Sequence, residues 1–206
     1  TCASWQQYLQ ASTADAIFML GDLFEAWVGD DALDEPGSFE AQCAATLYQA
    51  SARRSLFFIH GNRDFLLDEK FSANSGARII SAPYLLTLPT WQFVLSHGDE
   101  LCTDDTEYLS FRAQVRSREW RTAFLAKPRA ERKDIAAALR LQSENSKREK
   151  YQKTQAVMNL NPSATEDFLR EHGYATFIHG HTHQPEKHDH MIDGIHVERW
   201  VLADWH

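Results

Sequence analysis

The amino-acid sequence predicts a layered α/β sandwich with a helical insertion. Short apolar runs recur along the chain, and each breaks off in a polar turn that contains glycine. A helical repeat lies between the first two runs, and a glycine-free, basic stretch interrupts the second half. The first two features are those of strands alternating with helices, and the third is that of an inserted element.

The strands come first. Residues 16–20 (Ala-Ile-Phe-Met-Leu) run into Gly21-Asp22, and residues 56–59 (Leu-Phe-Phe-Ile) run into His60-Gly61-Asn62. Residues 93–96 (Phe-Val-Leu-Ser) run into His97-Gly98-Asp99, and residues 175–178 (Ala-Thr-Phe-Ile) run into His179-Gly180-His181. The apolar residues are continuous rather than alternating, so both faces of each strand are expected to be covered. Phe39, Cys43 and Leu47 recur every four residues and predict a helix between the first two strands. From about 107 to 160 glycine is absent, and residues 136–139 and 151–158 favour helix. This segment reads as a helical cap packed on the body, within a single domain spanning 1–206. Ser163 is expected to cap the helix that restarts the body, with Glu166 at the reciprocal position. His188, Asp189 and His190 read as a polar hairpin loop.

Composition narrows the function. The chain has 206 residues, 43% hydrophobic and 24% charged, enough for one domain with a sizeable core. No transmembrane run and no signal peptide is expected. Cys2, Cys43 and Cys102 are widely spaced and fit reduced thiols in a reducing compartment. A net charge of −8 argues against a general nucleic-acid binder. Residues 112–153 hold 13 of the 21 Lys and Arg and 5 of the 29 acids, which makes that segment +8 and the remainder −16. An acidic body with one basic segment suggests hard cations in one place and an anionic ligand or surface in another.

Four strand ends thus carry Gly-Asp, Gly-Asn-Arg-Asp, His-Gly-Asp and Gly-His-Thr-His. Loops at one end of such a sheet are where α/β proteins bind ligands. Asp22, Asn62, His97, His181 and His183 supply carboxylate, amide and imidazole, a set suited to a borderline divalent ion such as manganese, iron or zinc. Each motif alone is a common turn or core feature; it is their order at successive strand ends that makes a metal site. Asp22 is the candidate bridge between two ions. His181 and His183, two apart on an extended segment, are expected to face the same way.

These motifs resemble the calcineurin-like metallophosphoesterase family, whose pattern is Asp-x-His, Gly-Asp, Gly-Asn-His/Arg-Asp, His-Gly and Gly-His-x-His. All but the first match, in order. The resemblance implies a four-layer α/β/β/α sandwich. It narrows at residues 20–31, 60–66, 97–99, 101–105, 145–147 and 178–185, which are similar to the UDP-2,3-diacylglucosamine pyrophosphatases of lipid A biosynthesis. That likeness runs along essentially the whole chain. It implies water attack on the α-phosphorus of UDP-2,3-diacylglucosamine, releasing UMP and 2,3-diacylglucosamine 1-phosphate, with two manganese ions as cofactors. Carried over, Asp22 resembles the bridging ligand, Asn62, His97 and His181 the ligands of the second ion, and His183 a ligand of the first. Asn62, Arg63, Asp105, Ser146, Lys150, Lys153 and His181 resemble substrate contacts. Asp22, Asn62, Arg63 and His181 would surround the activated water. Arg63 stands where the wider family often has histidine, and its guanidinium can fork onto phosphate oxygens.

The cap has a logic of its own. Lys147, Lys150 and Lys153 share a broad helix side, either a solvated face or an anion-binding one. Phe124, Leu125, Ile135, Leu139, Leu141, Val157 and Met158 either line an acyl-chain groove or form the cap's own core. A basic cap with exposed apolar residues suits anionic headgroups, hence a peripheral protein on the cytoplasmic face of the inner membrane, with a soluble one as the alternative. A monomer is expected. The family's Asp-x-His strand would precede Thr1 and its last strands would follow His206, so the first ion is expected to keep only Asp22 and His183 and to bind weakly. Two other readings stay open: another calcineurin-like phosphodiesterase or phosphatase, and an inactive homologue that binds partners. Residues 24–27 (Phe-Glu-Ala-Trp) and the basic cap favour the UDP-2,3-diacylglucosamine reading, since a small generic phosphodiesterase would not need the cap.

Overall fold

The computed structural model describes residues 2–154 and 159–204, with the side chains of Cys2 and of residues 146–154 left aside. Helix α1 (Cys2–Ala11) leads into strand β1 (Ala16–Met19), and a 3-10 turn (Asp30–Asp34) leads to α2 (Phe39–Ser51). Strand β2 (Ser55–Phe58), α3 (Glu69–Ser75) and β3 (Ala77–Ile79) complete a parallel sheet in the order β1-β2-β3. Strands β4 (Tyr84–Leu88) and β5 (Trp91–Ser96) follow, then helices α4 (Thr106–Arg116), α5 (Arg118–Leu125), α6 (Arg129–Thr154) and α7 (Pro162–Glu171). Strands β6 (Thr176–His179), β7 (Lys187–Ile192) and β8 (Ile195–Val201) close the chain. The second sheet runs β4-β5-β6-β8-β7, parallel through β5, β6 and β8 and antiparallel at both edges.

The period-2 alternation of each strand sorts its apolar residues into separate layers. Ile17, Leu56 and Phe58 pack with Trp5, Leu9, Cys43, Leu47 and Phe71 from the helices outside the first sheet. Leu20, Ile59 and Leu95, with Phe18, Phe93 and Ile178, fill the space between the sheets. Val94, Phe177 and Val197 meet Phe168 and Leu169 of α7. The order is therefore helices, sheet, sheet, helix: the four-layer sandwich. Continuous apolar runs fit strands buried on both faces, and each fully buried side chain such as Phe58 or Phe177 contributes about 1.5–3 kcal/mol.

The helix predicted from Phe39, Cys43 and Leu47 is α2; Cys43 and Leu47 are buried, while Phe39, its first residue, is 55% exposed with its ring edge-on to Phe24. Two local expectations are corrected. The cap of α7 is Asn161, which accepts from the Ala164 N–H, rather than Ser163. Pro162 is suited to the first helical turn, where its missing N–H is harmless, so the helix starts earlier and Glu166 pairs with Arg170 instead, at 3.5 Å. His188, Asp189 and His190 are in strand β7, opposite Arg199, Glu198 and Val197, and the turn falls at Asp193-Gly194. Polar residues are tolerated there because β7 is the sheet's edge.

The basic segment folds as α4, α5 and most of α6, with residues 155–158, including Val157 and Met158, outside the described residues. Phe124 and Ile135 join the core beside the first sheet, whereas Leu125 and Leu141 are exposed. Arg132 anchors α6. Its buried guanidinium donates to the Val28 carbonyl, to both Asp31 carboxylate oxygens and, through Nε at 3.0 Å, to the Lys127 carbonyl. No described helix is long and apolar enough to cross a membrane.

Candidate metal centre

The loops that follow β1, β2, β5 and β6 meet at one point. Gly180 N–H donates to the His97 carbonyl at 3.1 Å, and Arg63 N–H donates to Asp22 Oδ1 at 2.9 Å. Ligand atoms of Asp22, His97 and His181 all lie within 4.8 Å of one another. Asn62 Oδ1 lies between the two histidines, 3.0 Å from His97 Nε2 and 3.0 Å from His181 Nδ1. Asp22 Oδ2 is 3.6 Å from His97 Nε2. Such convergence needs backbones in near contact. Gly21 has φ 84, and a Cβ there would lie 2.4 Å from Gly61 Cα. Asp22 and His181 themselves hold left-handed backbone, φ 56 and 64, a conformation that costs about 1–3 kcal/mol and gathers at functional sites.

The proton positions make this set fit a cation. His97 Nδ1 is 2.7 Å from the Leu20 carbonyl, which only accepts, so Nδ1 carries the hydrogen. With its hydrogen on Nδ1, His97 can offer the lone pair of Nε2 on the side where an amide oxygen and a carboxylate also point. Acceptors facing acceptors are repulsive until a divalent ion sits among them, and an imidazole held through its other nitrogen by a backbone carbonyl is the usual arrangement of a metal ligand.

Two buried carboxylates support the loops. Asp64 accepts from Gly61 N–H and Leu23 N–H, both at 2.8 Å, and so ties the Asp22 loop to the Asn62 loop. Burial, then the charge of Asp22, pushes its carboxyl up to about 7. Asp99 is also fully buried, and burial alone would raise it, but the hydrogen bonds of Arg112 and the nearby positive charges hold it well below the usual carboxylate range.

His179 supports the fourth loop. The Arg199 guanidinium only donates, so Nε2 of His179 accepts from it at 3.0 Å while Nδ1 donates to the Gly180 carbonyl at 2.9 Å. Burial, aided by the charge of Arg199, brings its pKa down to about 3 from an ordinary 6.5. Between those values the unfolded chain binds the extra proton, so stability falls as pH drops below 6.5. From about pH 7 to pH 5 the loss attributable to this residue is about 2 kcal/mol. Urea unfolding at both pH values is expected to give a smaller loss for His179→Gln than for wild type; equal losses would contradict this assignment.

The other sequence-derived candidates fall in different places. Arg63 Nε lies 3.4 Å from Asp22 Oδ2, and Nη1 lies 2.9 Å from Glu25 Oε2. Arg140 of α6 reaches the same Glu25 carboxylate and donates to the Glu25 carbonyl at 3.0 Å. Glu25 thus holds two guanidiniums beside the centre. Nothing in the local sequence around Arg140 marked it, because it lies 115 residues from Glu25. His183 is outside the group of three, and its Nδ1 faces Asp204 at 3.6 Å. The expected extended Gly-His-Thr-His segment is in fact a turn: His181 and His183 have φ 64 and 55, and Thr182 N–H returns to the Gly180 carbonyl at 2.8 Å. Asp105 caps α4 by accepting from Tyr108 N–H at 3.1 Å. The side chains of Ser146, Lys147, Lys150 and Lys153 lie outside the described residues.

Comparison with known proteins gives the context. The calcineurin-like phosphoesterase family profile matches residues 3–185. A UDP-2,3-diacylglucosamine hydrolase of Aromatoleum aromaticum is 48% identical over 196 residues, which is 95% of this chain and 78% of that protein. One from Chromohalobacter salexigens is 45% identical, covering 95% of this chain and 77% of that protein. One from Chromobacterium violaceum is 42% identical over 206 residues, covering 100% of this chain and 81% of that protein.

Proposed function

The chain belongs to the calcineurin-like phosphoesterase family, which includes these UDP-2,3-diacylglucosamine hydrolases, and from that premise we propose that it hydrolyses the pyrophosphate bond of UDP-2,3-diacylglucosamine. The products are UMP and 2,3-diacylglucosamine 1-phosphate, an intermediate of lipid A synthesis. The observation that carries this reading is the convergence of Asp22, Asn62, His97 and His181 at four strand ends, beside a pair of arginines.

Two manganese ions are the proposed cofactors; Asp22, Asn62, His97 and His181 would hold one, and Asp22 and His183 the other. Bound there, divalent ions would lower the pKa of water and neutralise charge on the phosphate oxygens. The chain's own residues bind and orient the substrate. Glu25, between Arg63 and Arg140, occupies a place suited to an anion, and the diphosphate would displace it onto a forked, charge-assisted contact. Asn62 and His181 would touch the phosphates as well as the ions. Asp105, Ser146, Lys150 and Lys153 are proposed as further substrate contacts, on a cap formed by the segment at about 107–160 within the single domain. The exposed Leu125 and Leu141 suit acyl chains, and the basic 112–153 segment suits peripheral contact with the cytoplasmic face of an anionic membrane.

Arg63→Ala removes one charge-assisted contact of about 1.5–3 kcal/mol, so kcat/KM is expected to fall about 10- to 100-fold. Arg63→Lys keeps the charge but not the fork and is expected to recover only part of the loss. Steady-state kinetics on both variants check this, and an unchanged kcat/KM in Arg63→Ala would remove Arg63 from the substrate site.

The reaction itself is tested by following UMP release from UDP-2,3-diacylglucosamine with added manganese, for wild type and His181→Ala. Release that needs manganese and is lost in the variant is expected. A wild-type chain that binds manganese but leaves this substrate intact would leave only the broader phosphoesterase class. A chain that binds neither would point to the inactive homologue.

A further inference from the structure

Helix α4 touches three of the four ligand loops through one face. Tyr108, Arg112 and Arg116 stand four residues apart and so line a single side of the helix. Arg112 forks onto the Asp99 carboxylate, Nε to Oδ2 at 2.7 Å and Nη2 to Oδ1 at 3.2 Å. Its Nη2 also lies 3.8 Å from Glu100 Oε2, a buried oxygen with no hydrogen-bond partner among the described residues. Tyr108 donates its hydroxyl to Asp99 Oδ2 at 2.6 Å, and its ring stacks on His181 with centroids 6.1 Å apart. Arg116 Nη2 donates to the Gly61 carbonyl at 2.9 Å and lies 3.7 Å from Asp99 Oδ2.

We infer that Arg112 is a positioning residue: by gripping Asp99 it seats α4 as a brace that holds the Gly61-Asn62, His97 and His181 loops in register for metal binding. None of these brace groups belongs to the donor set itself. Asp99 is fully buried and Arg112 only partly so, and a pair that takes a charge out of water is seldom worth more to stability than apolar packing of the same volume, so its value here is geometric. Asp99 is two residues from His97, and the peptide between them has to turn through Gly98 at φ 100, where a Cβ would lie 2.9 Å from His179 Nδ1. A carboxylate locked by a planar fork fixes that turn in a way a point charge does not.

The inference rests on the reading of Asp22, Asn62, His97 and His181 as metal ligands. Its test is manganese titration of the chelator-stripped full chain by calorimetry. Groups that orient a ligand typically account for about 10- to 100-fold in metal affinity, and Arg112→Ala is expected to weaken manganese binding by that factor. Millimolar guanidinium should restore part of the affinity, which a merely unstable protein would not do. Arg112→Lys, the milder variant, is expected to fold and to bind about tenfold more weakly. Arg132→Met removes a buried guanidinium away from the site; it should lower the melting temperature and leave the manganese Kd within about twofold. A wild-type Kd in both Arg112 variants would overturn the inference while leaving the metal site intact. So would a loss that Arg132→Met matches and guanidinium does not repair. No manganese binding by the wild type would overturn both together.

Discussion

Asp22→Ala is expected to lose metal binding and hydrolysis together. Asp22 is the one carboxylate in the cluster with His97 and His181, and its oxygens lie against Arg63 N–H at 2.9 Å and His97 Nε2 at 3.6 Å. Its negative charge would favour a cation among amide and imidazole donors. Divalent ions supply several kcal/mol of transition-state stabilisation, so at 1.36 kcal/mol per factor of ten kcat should fall at least about a thousandfold. Initial rates of UMP release and manganese titration of the same preparation measure both effects. Asp22→Asn keeps the shape and an acceptor for Arg63 N–H but removes the charge, so it is expected to fail nearly as badly. Asp22→Ala retaining activity within tenfold of wild type would remove Asp22 from the centre.

Gly61→Ala acts on the same site by geometry alone. A Cβ on Gly61 would lie 2.2 Å from Asp22 Oδ1 and 2.4 Å from the Asp22 nitrogen. The obstacle is partly backbone, which cannot rotate aside, so the Asp22 and Asn62 loops must separate. Overpacking of this kind costs about 1–3 kcal/mol of stability. A displacement near 1 Å among positioned groups can cost about a hundredfold in rate, and kcat/KM is expected to fall by that order. Gly37→Ala is the matched control: Gly37 has φ 79 but nothing lies within 4 Å of its Cβ, so only backbone strain is felt and turnover should be unchanged. Kinetics and melting of the two variants separate the effects. A Gly61→Ala protein with wild-type turnover would mean that the two loops need not touch.

Much of this arrangement is legible in the sequence because it is local. A strand buried on both faces needs an unbroken apolar run, and a loop that must bring a side chain close to another backbone needs glycine. Both signals stand at residues 16–22, 56–62, 93–99 and 175–181. The layer order follows from the same runs once the alternation along β1 and β2 is seen to divide between two cores. What is not legible is long-range pairing. Arg140 with Glu25, Arg112 with Asp99 and Asp64 with the Leu23 N–H each depend on how elements dock. Asp64 and Asp99 stand inside the motifs, yet nothing in their spacing separates a ligand from a buried support. The turn at Thr182 is hidden for a local reason. An alternation of histidines looks extended, and the left-handed backbone of His181 and His183 has no signature in residue type, since neither is glycine. The β7 strand was hidden by its polarity, which an edge position permits.

The most direct test of the central claim is hydrolysis of UDP-2,3-diacylglucosamine in water enriched in oxygen-18, using chain stripped with chelator and then reloaded with manganese. Water attack on the α-phosphorus puts the label in UMP and leaves the 2,3-diacylglucosamine 1-phosphate unlabelled, and no UMP forms before reloading. Label in the sugar phosphate, or no release after manganese has demonstrably bound, would contradict the account.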